Sequence, residues 1–169
     1  RLIAYAEGSG DSLDGFYHTA RLIASSDAAC PPGTPHGLLI LPVHWSTSRD
    51  AVAQHLDLEA QRKGSVVLQD MVRAHRQRHA GTDGPGVYLL GFSAGSRVIQ
   101  MAFGAEVARG ELEATAAETP DYMDTVEHVV FLGSSLSRRD PLPVDGIGGR
   151  LTNFVNPRDT HFGDRAPHV

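Results

Sequence analysis

With 169 residues, 41% hydrophobic and 21% charged, the chain has an ordinary globular composition and suits one domain with one sizeable core. Its net charge of −5 and scattered basic residues argue against a nucleic-acid footprint. No apolar run approaches the ~18 residues of a membrane span, and one cysteine, Cys30, excludes an internal disulfide.

The chain opens at Arg1 and enters an apolar segment directly, with neither a start Met nor a signal peptide. That reads as a processed or trimmed product; the low cysteine content fits the cytoplasm without excluding export. Leu2-Ile3-Ala4-Tyr5-Ala6 reads as a strand ended by Glu7-Gly8, and a helix is expected from about Ser12 to Ala28. Cys30 falls in a loop-like stretch, as a structural or incidental thiol would. Residues 38–43 form a second apolar run, with His44 and Trp45 at its end. Trp45 either lines a substrate pocket or caps the core.

Residues from about Arg49 to Ala80 read as helix, with Gly64 as a break; Leu68, Met71, Val72, His75 and His79 share one face. His75 and His79 stand four apart, a spacing that can serve a metal, but the arginines around them point to a solvated helix face. A Gly- and Pro-containing loop leads to a third strand, Val87-Tyr88-Leu89-Leu90. A helix from about Ala94 to Arg109 follows, burying Val98, Met101, Ala102 and Ala105. A fourth strand lies within 126–132 and a fifth at 151–155.

Strands alternating with helices predict right-handed crossovers and a mainly parallel sheet of about five strands, covered on both faces: an α/β three-layer sandwich. Sites in such a sheet lie beyond the carboxyl ends of the strands. Gly8, Trp45, Ser93, Ser134 and Asp159 all follow strands and are expected to converge there.

The strongest chemical signal is Gly91-Phe92-Ser93-Ala94-Gly95, between an apolar strand and an amphipathic helix. This is G-x-S-x-G in the context of a nucleophile elbow. The serine sits on a sharp turn, and its neighbours two residues away must be tiny to avoid collision. The following helix aims its N-terminal N–H groups at the site, which favours developing negative charge. Serine needs a base and an orienting acid. Asp159, in Asn156-Pro157-Arg158-Asp159 just after the fifth strand, is the candidate acid, with Asp140 its competitor. The candidate base is His168, with His161 or a residue beyond Val169 as the other choices. The oxyanion hole is expected from the N–H of Ala94 and the backbone of the first loop at Gly8 and Ser9, where Ser9 can add a hydroxyl.

That first loop admits two other readings. Gly8-Ser9-Gly10 begins like a dinucleotide fingerprint, but Leu13 stands where a third glycine belongs. Gly10-Asp11-Ser12-Leu13 spells the signature of GDSL hydrolases with Ser12 as nucleophile, without the other blocks of that family. A third alternative is a hydrolase-like domain that lacks a competent base and only binds.

GFSAGS after VYLL, the EGSG loop, and FLGSSLS followed by LTNFVNPRD together resemble the serine α/β-hydrolase superfamily. The compact five-strand pattern is similar to the branch that includes the cutinases. There the base lies on a loop soon after the acid, the position of Ala166-Pro167-His168. The resemblance implies cleavage of a small-molecule carboxylic ester through an acyl-enzyme on Ser93, with no metal or organic cofactor. The first loop departs from the superfamily's common His-Gly form, with Glu7 in the histidine's place, and the disulfides of cutinases have no counterpart here.

Overall fold

The computed structural model describes residues 1–9, 13–27, 38–46, 50–81, 86–104, 106–107, 114–115, 121–136 and 150–155. In chain order the elements are β1 (Leu2–Ala6), α1 (Leu13–Asp27), β2 (Leu39–Val43), α2 (Ala51–Leu56), α3 (Leu58–Arg78), β3 (Val87–Phe92) and α4 (Gly95–Ala102). Two short strands follow, β4 (Glu106–Val107) and β5 (Ala114–Thr115). A 3₁₀ turn (Asp121–Thr125), β6 (Val126–Leu132) and β7 (Leu151–Phe154) complete the set.

The five longer strands form one parallel sheet in the order β2-β1-β3-β6-β7. This is the expected α/β architecture. β1 contains no charged residue and is buried along almost its whole length, as a central parallel strand covered on both faces must be. The connection after β1 runs outward to β2, and the next returns past β1 to β3. Right-handed crossovers therefore put α1 on one face and α3 with α4 on the other. Phe16 of α1 lies 6.0 Å from the Tyr5 ring on the first face. On the second, Leu2, Ala4, Ala6, Val87 and Leu89 join Leu68 and Val72 of α3 and Val98 and Ile99 of α4 in the core.

The reversal in strand order falls between β1 and β3. At such a switch point the loops leaving the two strands diverge to opposite faces and open a crevice at the carboxyl edge. That edge is where Gly8 and Ser93 follow their strands.

Two helix boundaries differ from expectation. The long helix breaks at Asp57, not at Gly64. The Asp57 side chain accepts from Ala60 N at 2.9 Å and caps α3, so the chain restarts there. Gly64 lies inside α3, where a Cβ would stand 2.4 Å from Trp45 Cβ. Its smallness lets helix and sheet approach; it does not break the helix. α4 ends at Ala102 and not near Arg109. Gly104, at φ +90°, takes the left-handed conformation that ends helices, and residues 106–107 pair with 114–115 as a small antiparallel ribbon. Val98, Met101 and Ala102 are buried as expected; Ala105 lies outside the described residues. Among the described residues no helix is long and apolar enough to cross a membrane, and no group of three or more His, Cys, Asp or Glu is arranged to hold a metal ion.

Candidate active site

Ser93 leaves β3 with φ +48°, the only described non-glycine residue with positive φ. A residue with a Cβ pays about 1–3 kcal/mol for this conformation and keeps it only where its surroundings enforce it. The enforcement is visible in the hydrogen bonds. Ser93 N donates to Leu132 O of β6 at 3.0 Å. The Ser93 carbonyl accepts from Ser96 N at 3.1 Å, Ser96 Oγ at 2.6 Å and Ser135 Oγ at 3.2 Å. Ser96 Oγ in turn accepts from Ser134 Oγ at 3.0 Å and Ser135 N at 3.2 Å. The turn after β3 is thus tied to the loop after β6 through Ser96, which is wholly buried. Ser96→Ala removes a donor to the Ser93 carbonyl and takes the buried Ser134 hydroxyl's acceptor away. It is expected to cost about 1–3 kcal/mol in chemical denaturation, with a fall in any Ser93-dependent activity.

The glycines of the elbow are required sterically. A Cβ on Gly95 would meet Ala6 O at 2.1 Å and Glu7 O at 2.7 Å, both backbone atoms of β1 and its exit. A Cβ on Gly91 would press on Ile99 Cδ1 at 2.9 Å and the Ser96 backbone at 3.1 Å. Helix α4 therefore starts hard against the sheet. Ala94 is fully buried at its N-cap with no side-chain cap, and the first N–H groups of a helix have no partner within it.

Gly8 brings the first loop to the same place. A Cβ there would lie 3.1 Å from Ser93 Cβ and 2.7 Å from Phe92 Cδ1. Beside it Ser9 Oγ is shielded from solvent and makes no hydrogen bond among the described residues. Phe92 is exposed at the rim. Since the Phe92 ring can swing outward, Gly8→Ala is expected to cost at most about 1 kcal/mol of stability. Any Ser93-dependent activity is expected to fall more than tenfold, because the added methyl group would stand 3.1 Å from Ser93 Cβ and misplacement of about 1 Å can cost ~100-fold. Melting curves and steady-state rates on one preparation check both halves.

Of the residues expected to converge, Gly8, Trp45, Ser93 and Ser134 do lie at the carboxyl edge; Ala94 directly follows Ser93, and Ser9 follows Gly8. Asp159 and His168 fall outside the described residues, as do Asp140, His161, Ser12 and Cys30. Trp45 caps the core: it is buried, packs over Gly64, and its Nε1 donates to Glu7 O at 2.8 Å.

One pair escaped the sequence reading. The carboxylate of Glu7, almost wholly buried, is hydrogen-bonded through Oε1 to Nδ1 of half-exposed His44. The two residues are 37 apart in sequence. They meet because Ala6 and Val43 pair in the β1–β2 register, so the next residue of each strand shares the carboxyl edge. The signals were a histidine ending one strand and a glutamate ending its neighbour.

No model of a known protein family matches the sequence, and no curated protein sequence matches it. Two solved structures share its shape. One is a Trichoderma reesei cutinase in complex with a phosphonate inhibitor, at 15% identity and a TM-score of 0.59, covering 96% of this chain and 64% of the cutinase. The chain thus spans about two thirds of that enzyme's length. The other is an iodinated complex of acetyl xylan esterase, at 11% identity and a TM-score of 0.62, covering 94% of this chain and 87% of the esterase. With its five-stranded parallel sheet, its switch point between β1 and β3 and its strained serine turn, the chain has the α/β-hydrolase fold of cutinase and acetyl xylan esterase.

Proposed function

We propose that this protein is a serine hydrolase that cleaves small-molecule carboxylic esters through an acyl-enzyme on Ser93. The observation that carries the reading is Ser93 itself: a serine at φ +48° on a strand-to-helix turn, with the backbone of Gly8 packed against its Cβ. Glycine would occupy that backbone conformation more cheaply. Strain of this kind concentrates at functional sites. The two structural neighbours, a cutinase and an acetyl xylan esterase, point to the same bond type.

In the proposed reaction Ser93 Oγ attacks the ester carbonyl as a histidine removes its proton. The oxyanion receives hydrogen bonds from Ala94 N–H and from the Gly8–Ser9 backbone, and Ser9 Oγ supplies a further donor. The histidine then protonates the departing alcohol, and water activated by the same ring releases the acid. Asp159 is the proposed orienting acid and His168 the proposed base. Both follow β7 in sequence. The chemistry needs no metal or organic cofactor.

Turnover of short-chain nitrophenyl esters by Asp159→Ala, His161→Ala and His168→Ala tests the assignment. The reading expects losses of ~10⁴-fold or more for Asp159→Ala and His168→Ala, as for other members of a triad. Full turnover in Asp159→Ala removes that residue from the triad. Full turnover in His168→Ala with loss in His161→Ala moves the base to His161.

A further inference from the structure

Glu7 has no part in the chemistry assigned to Ser93, yet it immediately precedes the backbone which that chemistry uses. The register sets it there. Ala6 pairs with Val43 on one side and with Gly91 on the other, so Glu7 falls level with His44 and Phe92, and Gly8 falls level with Ser93. One peptide unit therefore separates Glu7 from the glycine whose added Cβ would stand 3.1 Å from Ser93 Cβ.

Glu7 is held at two points, both by the chain leaving β2. Its buried carboxylate is hydrogen-bonded to His44 Nδ1. Its carbonyl accepts from Trp45 Nε1 at 2.8 Å. Trp45 is itself fixed, buried over Gly64 of α3. The Glu7 carbonyl also lies 2.7 Å from where a Cβ of Gly95 would be, so the first turn of α4 closes on the same group. Two adjacent residues at the end of one strand thus grip the side chain and the main chain of one residue on its neighbour. A buried carboxylate needs a partner, and a buried ion pair adds little net stability over apolar residues of similar size. What the pair supplies is geometry.

That geometry bears on the loop that follows. A peptide group is planar, so fixing Glu7 O also fixes the direction of Gly8 N–H across the same plane. Glycine at position 8 leaves that plane free to turn, because it restricts φ far less than other residues do. An oxyanion hole works when its donors already point to the place where charge develops, without reorganising during the reaction. A loop that carries glycine to approach Ser93 needs its orientation supplied from outside, and the two bonds from the end of β2 supply it.

We propose that Glu7 is the positioning residue of the oxyanion loop, held by His44 through its carboxylate and by Trp45 through its carbonyl, so that the Gly8–Ser9 backbone meets the tetrahedral oxyanion in a fixed orientation. The inference rests on the Ser93 ester-hydrolase reading and adds to it the residues that orient the hole.

The experiment measures kcat and KM for nitrophenyl butyrate, and Ki for butylboronic acid, in the wild type, His44→Ala, His44→Asn, Trp45→Phe and Ser93→Ala. Butylboronic acid adds to a nucleophilic serine as a tetrahedral anion, so its Ki reports on the hole directly. Rates are referred to Ser93 sites titrated to completion with a fluorophosphonate, so unfolded protein drops out and a purely structural role leaves kcat unmoved. His44 is half-exposed, and its truncation leaves the core intact. His44→Ala and Trp45→Phe are each expected to lower kcat about tenfold or more and to raise Ki by a similar factor. Acylation and deacylation both pass through the oxyanion, so KM is expected to stay within about twofold. His44→Asn, whose amide N–H can stand in for Nδ1–H, is expected to recover most of the loss. Wild-type kcat and Ki in His44→Ala or Trp45→Phe overturn the proposal. So does a rise in KM alone, which is the mark of substrate contact, or a His44→Asn protein as slow as His44→Ala. Ser93-dependent turnover without these effects leaves the hydrolase reading standing. Turnover that persists in Ser93→Ala, or no turnover in the wild type, overturns both.

Discussion

Replacing Ser93 by alanine is expected to abolish ester turnover, a loss on the order of 10⁶-fold in kcat if the serine is the nucleophile of a triad. Replacing it by glycine is expected to do the same while raising stability by about 1 kcal/mol, because glycine adopts φ +48° without the steric penalty. The two variants separate nucleophile from scaffold. A residue kept for structure alone would give a silent alanine variant and a glycine variant that is merely more stable. A residue kept for chemistry gives two inactive proteins, one of them more stable than the parent. Steady-state assays with guanidinium unfolding of the same samples measure both quantities.

The second large effect is structural. Gly95→Ala puts a methyl group 2.1 Å from Ala6 O and 2.6 Å from Ala6 C. Both atoms belong to the main chain of β1, which is hydrogen-bonded to β2 and β3 along its whole length. No rotamer change relieves such a contact; either α4 or the central strand must move. We expect a loss of about 3 kcal/mol or more, a large part of the stability of an ordinary domain. Gly91→Ala is expected to be milder, since its nearest atom is the tip of the Ile99 side chain at 2.9 Å. Unfolding midpoints in that order, Gly95→Ala far below Gly91→Ala, would support the close seating of the helix on the sheet. A Gly95→Ala protein as stable as the parent would contradict it.

Much of the fold was legible in the sequence because its signals are local. Three of the five sheet strands are short, largely apolar runs, and four of the five are followed within a few residues by Gly, Trp or Ser at the sheet edge. The elbow was legible because its two glycines and its serine answer to one steric problem, and Gly95 meets that problem at 2.1 Å. The helix ends were misread where a weak signal competed with a stronger one. Gly64 drew attention as a breaker although Asp57 held the cap, and Gly104 was passed over within an otherwise helical pattern. The Glu7–His44 pair was out of reach for another reason. It depends on the pairing of β1 with β2, and register between strands separated by a helix is a tertiary property. The serine brace is similar: Ser134 was expected near the site, but its bond to Ser96 depends on the depth at which α4 sits.

The most direct test of the central claim is to label the protein with a fluorophosphonate and locate the adduct by peptide mass spectrometry. Such reagents react with a serine only where a base and an oxyanion hole have activated it. The account predicts a single adduct on Ser93, absent from Ser93→Ala. An adduct on Ser12 would transfer the chemistry to the opening loop, and no adduct at all would mean a hydrolase-like fold that binds its ligand without cleaving it; either result would contradict the account.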